Sequence, residues 1–222
     1  CQQNHNRGGL DRGAGDGDDN IYGSSGTNTL RGDGGDDILR GGIGDDTIYG
    51  GDGNDYFSSL GSNDKVFGGD GDDTIYAALI NYIDAGAGDD QVLLYAANDG
   101  RKFDFLDGGP GTDTLNFYYY GGQNVGGSTT VGDAIVNFEK IKFSTSTSGS
   151  YTFNLGSQAG SAGESITVEV VQTSGMTAYG IDFTSATDAN IILTGSNGDN
   201  AGNNGDDIIV LGSGNDNVNL RL

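Results

Sequence analysis

From residue 14 to residue 76 the chain writes one nine-residue phrase seven times without a break. The phrase is Gly-Gly-x-Gly-x-Asp-x-apolar-x, plainest in "GGIGDDTIY" (41–49) and "GGDGNDYFS" (50–58). The units start at Ala14, Gly23, Gly32, Gly41, Gly50, Ser59 and Gly68. Their sixth positions are Asp19, Asn28, Asp37, Asp46, Asp55, Asp64 and Asp73, and their eighth positions are Ile21, Leu30, Leu39, Ile48, Phe57, Val66 and Ile75. The carboxylate column has one exception and the apolar column has none. Chance does not hold two columns in phase for so long, and a tandem period of this kind makes each unit a module that buries its apolar side only against its neighbours.

The register then slips. Residues 77–84, "AALINYID", form a unit one residue short and without glycine. "AGAGDDQVL" (85–93) restores the pattern with Asp90 and Val92. After a longer segment, 94–107, "GGPGTDTLN" (108–116) is again a full unit, with Asp113 and Leu115. Pro110, the one proline, stands at a third position, in the turn half of the unit, where a fixed φ does no harm. Two further units close the chain, "GNNGDDIIV" (202–210) with Asp207 and "LGSGNDNVN" (211–219) with Asp216.

The pattern resembles the RTX family, the hemolysin-type calcium-binding nonapeptide repeats of secreted bacterial proteins, over 14–116 and 202–219. One copy would carry little weight; a tandem array is specific, because each copy supports the next.

The spacing also has its own physical reading. Glycines at positions one, two and four let the backbone bend sharply through positive φ and approach a ligand closely, with carbonyl oxygens exposed. Position six adds a hard anionic oxygen. Positions seven to nine form a very short strand whose middle side chain points inward. One unit is half a turn of a coil, so units n and n+2 stack on the same side. Their aspartates then face each other across one strand spacing, about 4.8 Å. Bare carboxylates so placed repel. Calcium takes roughly six to eight oxygens from carboxylates and backbone carbonyls in flexible geometry, and turns that repulsion into a crosslink. Magnesium demands a strict octahedron and keeps its waters. Zinc has one Cys and one His to draw on, which make no usual site. The plain alternative for any single Asp here is a solvated turn residue.

What the resemblance implies is an all-β fold, a right-handed parallel β-roll or β-solenoid with calcium between its turns. Carried over, one side holds Asp19, Asp37, Asp55, Asp73, Asp90 and Asp113, with 94–107 taken as one half-turn carrying a short insertion. The other side holds Asn28, Asp46 and Asp64 and falters at Tyr82. The glycines of the expected sites are Gly32, Gly35, Gly42, Gly44, Gly51, Gly53, Gly69, Gly71, Gly86, Gly88, Gly109 and Gly111. Asp18, Asp36, Asp45, Asp72 and Asp89, at position five, point outward in the family and read as solvated charge. Asp207 and Asp216 complete the expected metal ligands.

Composition narrows the function classes. The chain of 222 residues has 10 Lys+Arg against 32 Asp+Glu, a formal charge of −22. Nucleic acid needs a basic face, so it is excluded as a partner, and an anionic membrane surface is disfavoured in the same way. Cations are favoured. With Gly at 43 residues and one Pro, collagen's strict triplet fails. Disorder is the stronger rival. Against it, 34% of residues are apolar, with 11 Tyr and 9 Phe to build a core once the charge is managed. No apolar run approaches the roughly 18 residues of a membrane span. A single Cys excludes a disulfide within the chain. With no initial Met and no signal peptide the chain reads as a mature or processed product. "CQQN" is how a cleaved bacterial lipoprotein begins, with a lipid anchor on Cys1; the plainer reading is a fragment that begins there.

The organisation expected is a leader (1–13), the calcium-binding β-roll (14–116), a β-rich solenoid continuation or insertion (117–201) and a C-terminal repeat turn (202–222). The middle segment has strand composition at 134–143, 151–155, 165–171, 179–183 and 190–193. Its "NFEKIKF" is similar to stretches between calcium repeats in bacterial surface-layer proteins, where the coil runs on without metal. Tyr118, Tyr119 and Tyr120 read as packing more than as a binding patch. No enzyme emerges: His5 is the one histidine and lies in a polar leader, and no phosphate-cradling loop leads into a helix. Repetition of the acids argues for ligand duty and against an acid pair in a cleft. The repeats stop three residues before the end, and solenoid ends need caps. Stacking Asp207 and Asp216 of one copy under Asp19 and Asn28 of the next would continue the coil between molecules, a contact that does not close. The expectation is thus a secreted, calcium-dependent structural protein that assembles head to tail into an extracellular filament or surface layer. The alternative is a monomeric repeat module of a larger secreted adhesin, surface-layer protein or enzyme at the bacterial surface.

Overall fold

A computed structural model describes residues 2–3, 11–60, 63–77, 82–95, 105–119, 127–130, 135–145, 150–154, 165–172, 178–182, 190–196, 208–210 and 217–220. Every regular element among the described residues is a β-strand. All the strand pairs whose register is described are parallel. The fold is the parallel β-roll that the repeats imply. The residues gather into two units, 1–94 with 103–114, and 95–102 with 115–222.

In the first unit each coil contributes one strand to each of two sheets. One sheet stacks Asp11–Asp16, Thr29–Gly34, Thr47–Asp52, Lys65–Asp70, Tyr82–Ala87 and Phe105–Asp107 in sequence order. The other stacks Gln2–Gln3, Asn20–Tyr22, Ile38–Arg40, Tyr56–Leu60, Thr74–Ala77 and Gln91–Tyr95. Leu30 pairs with Ile48 and Ile48 with Val66, 18 residues apart each time, so two nonapeptides make one coil. Where the short unit falls the step drops to 17, from Val66 to Ile83 and from Ile75 to Val92. Across 94–107 it grows to 23, from Ile83 to Leu106. The extra residues therefore enter one half-turn, and the stack closes again on either side of it.

The eighth-position column is the core. Ile21, Leu30, Leu39, Ile48, Phe57, Val66, Ile75, Val92 and Leu115 are all buried. Burying one such side chain stabilises by roughly 1.5–3 kcal/mol, which is why strands only three to six residues long hold. Positions seven and nine face outward and form ladders of their own. Tyr49 stacks on Phe67 at 4.9 Å between ring centroids, Phe67 meets Tyr82 at 5.6 Å, and Tyr82 stacks on Phe105 at 5.0 Å. The Arg31 guanidinium caps that ladder 4.2 Å above the Tyr49 ring. On the other sheet Arg40 lies over Tyr22 and donates to its hydroxyl at 2.7 Å.

The second unit is a parallel stack with longer coils. Lys140–Thr145, Ser165–Gln172, Asn190–Ser196 and Asn217–Leu220 form one row, and Gly127–Thr130, Ser150–Asn154, Ala178–Asp182 and Ile208–Val210 another. Ile141 pairs with Val168, 27 residues on, and Ile166 with Ile191, 25 on. Each stretch read as strand-forming in the sequence meets a strand. The first, 134–143, is interrupted at Asn137, which adopts φ 56° between Ile135–Val136 and Lys140–Thr145. Phe117, Ile135, Phe138, Ile141, Ile166 and Val168 are buried. Tyr118 stacks on Tyr95 at 5.7 Å; Tyr120 and the Tyr119 side chain lie outside the described residues.

Candidate metal centre

Each sixth-position aspartate enters its strand from a glycine bend and is held from both sides. The Asp37 backbone N–H donates to Asp55 Oδ1 at 2.8 Å, Asp55 N–H to Asp73 Oδ1 at 2.7 Å, and Asp73 N–H to Asp90 Oδ1 at 2.8 Å. Asp19 N–H begins the row at Asp37 Oδ1, and Asp90 N–H extends it to Asp113 Oδ1. In turn the Asp37 carbonyl accepts from Tyr56 N–H and the Asp55 carbonyl from Thr74 N–H, both at 2.8 Å. Main chain and side chain together thus fix a column of carboxylates that the repeat placed in register. The whole column is buried.

Only one oxygen of each carboxylate is used in this ladder. Oδ2 of Asp37, Asp55, Asp73 and Asp90 is buried and accepts no hydrogen bond. In Asp37, Asp55 and Asp73 it packs against the glycine that opens the same unit, whereas the unit of Asp90 opens on Ala85. A methyl group on Gly32, Gly50 or Gly68 would overlap Oδ2 of Asp37, Asp55 or Asp73. A buried, unbonded anionic oxygen is costly unless a cation or a proton meets it.

The electrostatics carry the same message. Burial pushes the Asp37 carboxyl up, Asp55 and Asp90 to about 6, and Asp73 to about 8. Backbone N–H donors oppose this in part, and carboxylates one coil away add to it. Without a cation, this column resists being fully ionised near neutral pH.

The second column is shorter. Asn28 N–H donates to Asp46 Oδ1 and Asp46 N–H to Asp64 Oδ1, each at 2.8 Å. Asp46 Oδ2 is again buried and accepts no hydrogen bond. Tyr82 meets the column through its backbone alone, donating N–H to the Asp64 carbonyl at 2.9 Å.

The glycines bring main-chain oxygens into the same bends. Gly51 and Gly53 both have φ 123°, and a methyl on either would overlap a carbonyl one coil away, of Asp33 and Gly35 respectively. The same close approach recurs at Gly42, Gly44, Gly69, Gly71, Gly86, Gly88, Gly109 and Gly111. Gly35 instead lies against the backbone of Gly17 and Asp18. Asp33 takes the second position of its unit at φ 76°, a conformation that Asp tolerates better than most residues.

Position five holds a ladder that sequence reasoning missed. Asp36 N–H donates to Asp18 Oδ1, Asn54 N–H to Asp36 Oδ1, Asp72 N–H to Asn54 Oδ1, Asp89 N–H to Asp72 Oδ1 and Thr112 N–H to Asp89 Oδ1. The side chains are exposed, as expected, yet they stitch the coils in the direction opposite to the buried column. A signal for it was present: the fifth residue of five successive units on this side is Asp or Asn.

Among the described residues no three carboxylate, imidazole or thiolate groups converge. A cation here therefore completes its shell with backbone carbonyls. Hard oxygens of both kinds, in flexible bends, fit calcium and fit zinc poorly. Asp207 and Asp216, like Cys1 and His5, lie outside the described residues.

Among protein-family models the chain matches the RTX calcium-binding nonapeptide repeat over residues 13–48, 31–64, 49–79, 80–100, 97–117 and 192–218, more than half its length. No curated protein and no solved structure matches it.

Proposed function

The chain belongs to the RTX calcium-binding nonapeptide repeat family, calcium-binding proteins of the secreted type, and on that premise we propose that it is a structural protein that folds when it meets calcium outside the cell and stacks head to tail into a filament or surface layer. The observation that carries the calcium half is the row of buried Oδ2 atoms on Asp37, Asp55, Asp73 and Asp90 that accept no hydrogen bond. The unfolded chain has no such row, so metal binding free energy appears as folding free energy. Extracellular calcium modules bind at roughly 10⁻⁴–10⁻³ M, so a chain of charge −22 stays open where calcium is scarce. The ligands on this reading are the sixth-position aspartates with carbonyls of the glycine bends. The reading assigns the chain no catalytic step.

The assembly half is supported by a sheet edge. Among the described residues Asp11–Asp16 is the outermost strand of one sheet, and a parallel edge offers backbone groups to another chain. A repeat turn stacked there from a second copy would extend that sheet without closing on itself. Circular dichroism with and without calcium tests the first half: equal strand signal in both defeats it. Electron microscopy in calcium and in chelator tests the second, and monodisperse particles at high calcium reject the filament in favour of a module of a larger surface protein.

A further inference from the structure

The second column opens on an asparagine, and that turn is built unlike the aspartate turns. Asn28 is 1% exposed. Its Oδ1 faces the Ser24 backbone N–H at 3.4 Å and the Ser24 hydroxyl at 3.2 Å. A backbone N–H can only donate, so oxygen must be the atom turned toward it and the amide's orientation is settled by its partners. Nδ2 then points into a ring of three oxygens. They are the Gly26 carbonyl at 2.6 Å, Asp46 Oδ1 at 2.8 Å and the Ser24 carbonyl at 3.3 Å.

Two of these oxygens are carbonyls from the second and fourth positions of the bend, and the third is a carboxylate oxygen from the next coil. That is the outline of an oxygen shell around a cation, with a nitrogen at its centre. We propose that the Asn28 amide stands in the cation's place in this turn, a metal-free clasp joining residues 23–31 to 41–49. Its two N–H dipoles offer the surrounding oxygens the positive end that an ion would offer. The facing pair Asn28–Asp46 carries one negative charge where an aspartate pair would carry two, so the turns stack without a counter-ion. Asp46 Oδ2, buried and accepting no hydrogen bond, takes no part in the clasp. The clasp thus presents a preformed half-site to the following coil and gives calcium-driven folding a place to start. The inference rests on the calcium reading for what the aspartate turns do, and on the hydrogen bonds alone for what Asn28 does.

Two measurements on the full chain test it. Calcium equivalents at saturation are counted by native mass spectrometry for the wild type and for Asn28→Asp. The variant is expected to hold one more ion, because a carboxylate reopens the shell; equal counts overturn the proposal. In the calcium-saturated wild type, the Asn28 side-chain NH₂ signals are expected to exchange at least tenfold more slowly than a free amide. Exchange at the free rate in the folded chain overturns it. The second measurement decides the matter even if Asn28→Asp does not fold. If the wild type takes up no calcium at all, the calcium reading falls while the exchange rate still judges the clasp.

Discussion

Asp90 and Asp113 are neighbours in one buried column although 23 residues separate them, the backbone N–H of the first donating to Oδ1 of the second at 2.8 Å. One coil earlier Asp73 reaches Asp90 across 17 residues at the same distance. The chain thus absorbs a deletion and an insertion without moving its carboxylates out of line. The reason is energetic. A carboxylate lifted out of its column would lose backbone donors that partly offset its burial, while on the far side the row of Asn28, Asp46 and Asp64 already ends before either change of length.

The raised carboxyls set the pH response of the metal-free chain. For Asp73 the folded value, about 8, lies above the ordinary 3.8, so the folded chain keeps a proton that the unfolded chain releases. The associated stability is fully present below about 3.8 and is lost as pH rises through about 8, with Asp55 and Asp90 adding losses near 6. Calcium-depleted protein should therefore keep more strand structure at pH 5 than at pH 8.5. Saturating calcium should reverse the order, because the metal takes the deprotonated ligand and competes with protons. Circular dichroism at the two pH values, without calcium and with it, checks both signs, and a calcium-free strand signal that rises with pH contradicts the expectation.

Two aspartates of neighbouring coils, one buried and one exposed, should respond differently to the same change. Asp55→Asn removes a buried charge whose Oδ2 has no hydrogen bond, whereas Asp36→Asn leaves an exposed oxygen that can still accept from Asn54 N–H. Asp55→Asn should bind at least one calcium fewer and keep more strand structure than wild type when calcium is absent. Asp36→Asn should match wild type in both. Calorimetric titration gives the stoichiometry and calcium-free circular dichroism gives the residual structure; equal behaviour of the two variants would remove the distinction between the ladders.

Much of this was legible because the chain repeats itself. The eighth-position residues from Ile21 to Ile75 name the core, and the missing residue in 77–84 announces the shortened step that pairs Val66 with Ile83. What stayed hidden depends on contacts between coils, which no period encodes. Gly50 reads as a bend residue, yet it is required because the Asp55 carboxylate lies against it. Asn28 reads as a ligand, yet its amide donates. In the second unit the strand composition of 165–171 and 190–193 is plain, but no marked residue fixes which strand pairs with which across 25 residues.

Adding one methyl separates two kinds of glycine. At Gly17, φ is 103° and a Cβ would meet nothing within 4 Å, so Gly17→Ala costs only the left-handed conformation, about 1–2 kcal/mol. At Gly50 a Cβ would overlap both Asp55 Oδ2 and the Gly68 carbonyl, one of them backbone that cannot step aside. Gly50→Ala should exceed the roughly 1–3 kcal/mol of ordinary overpacking and weaken calcium binding as well. Calcium-saturated denaturant titrations compare them directly; a Gly50→Ala variant as stable as Gly17→Ala would mean that the carboxylate does not lie against the glycine.

The last expectation concerns the core that the bends serve. Phe57 is fully buried and pairs in the sheet with Leu39 on one side and Ile75 on the other. Phe57→Ala should cost about 3–5 kcal/mol, since the coils on both sides are pinned by their own hydrogen bonds and cannot collapse into the space left behind. Calcium should not restore that loss, because the metal column and the apolar column occupy different positions of each unit. The fall in stability, measured by chemical denaturation, is expected to be the same at moderate and at saturating calcium. If added calcium closes the gap to wild type, packing and metal binding are not the separate contributions that the two columns imply.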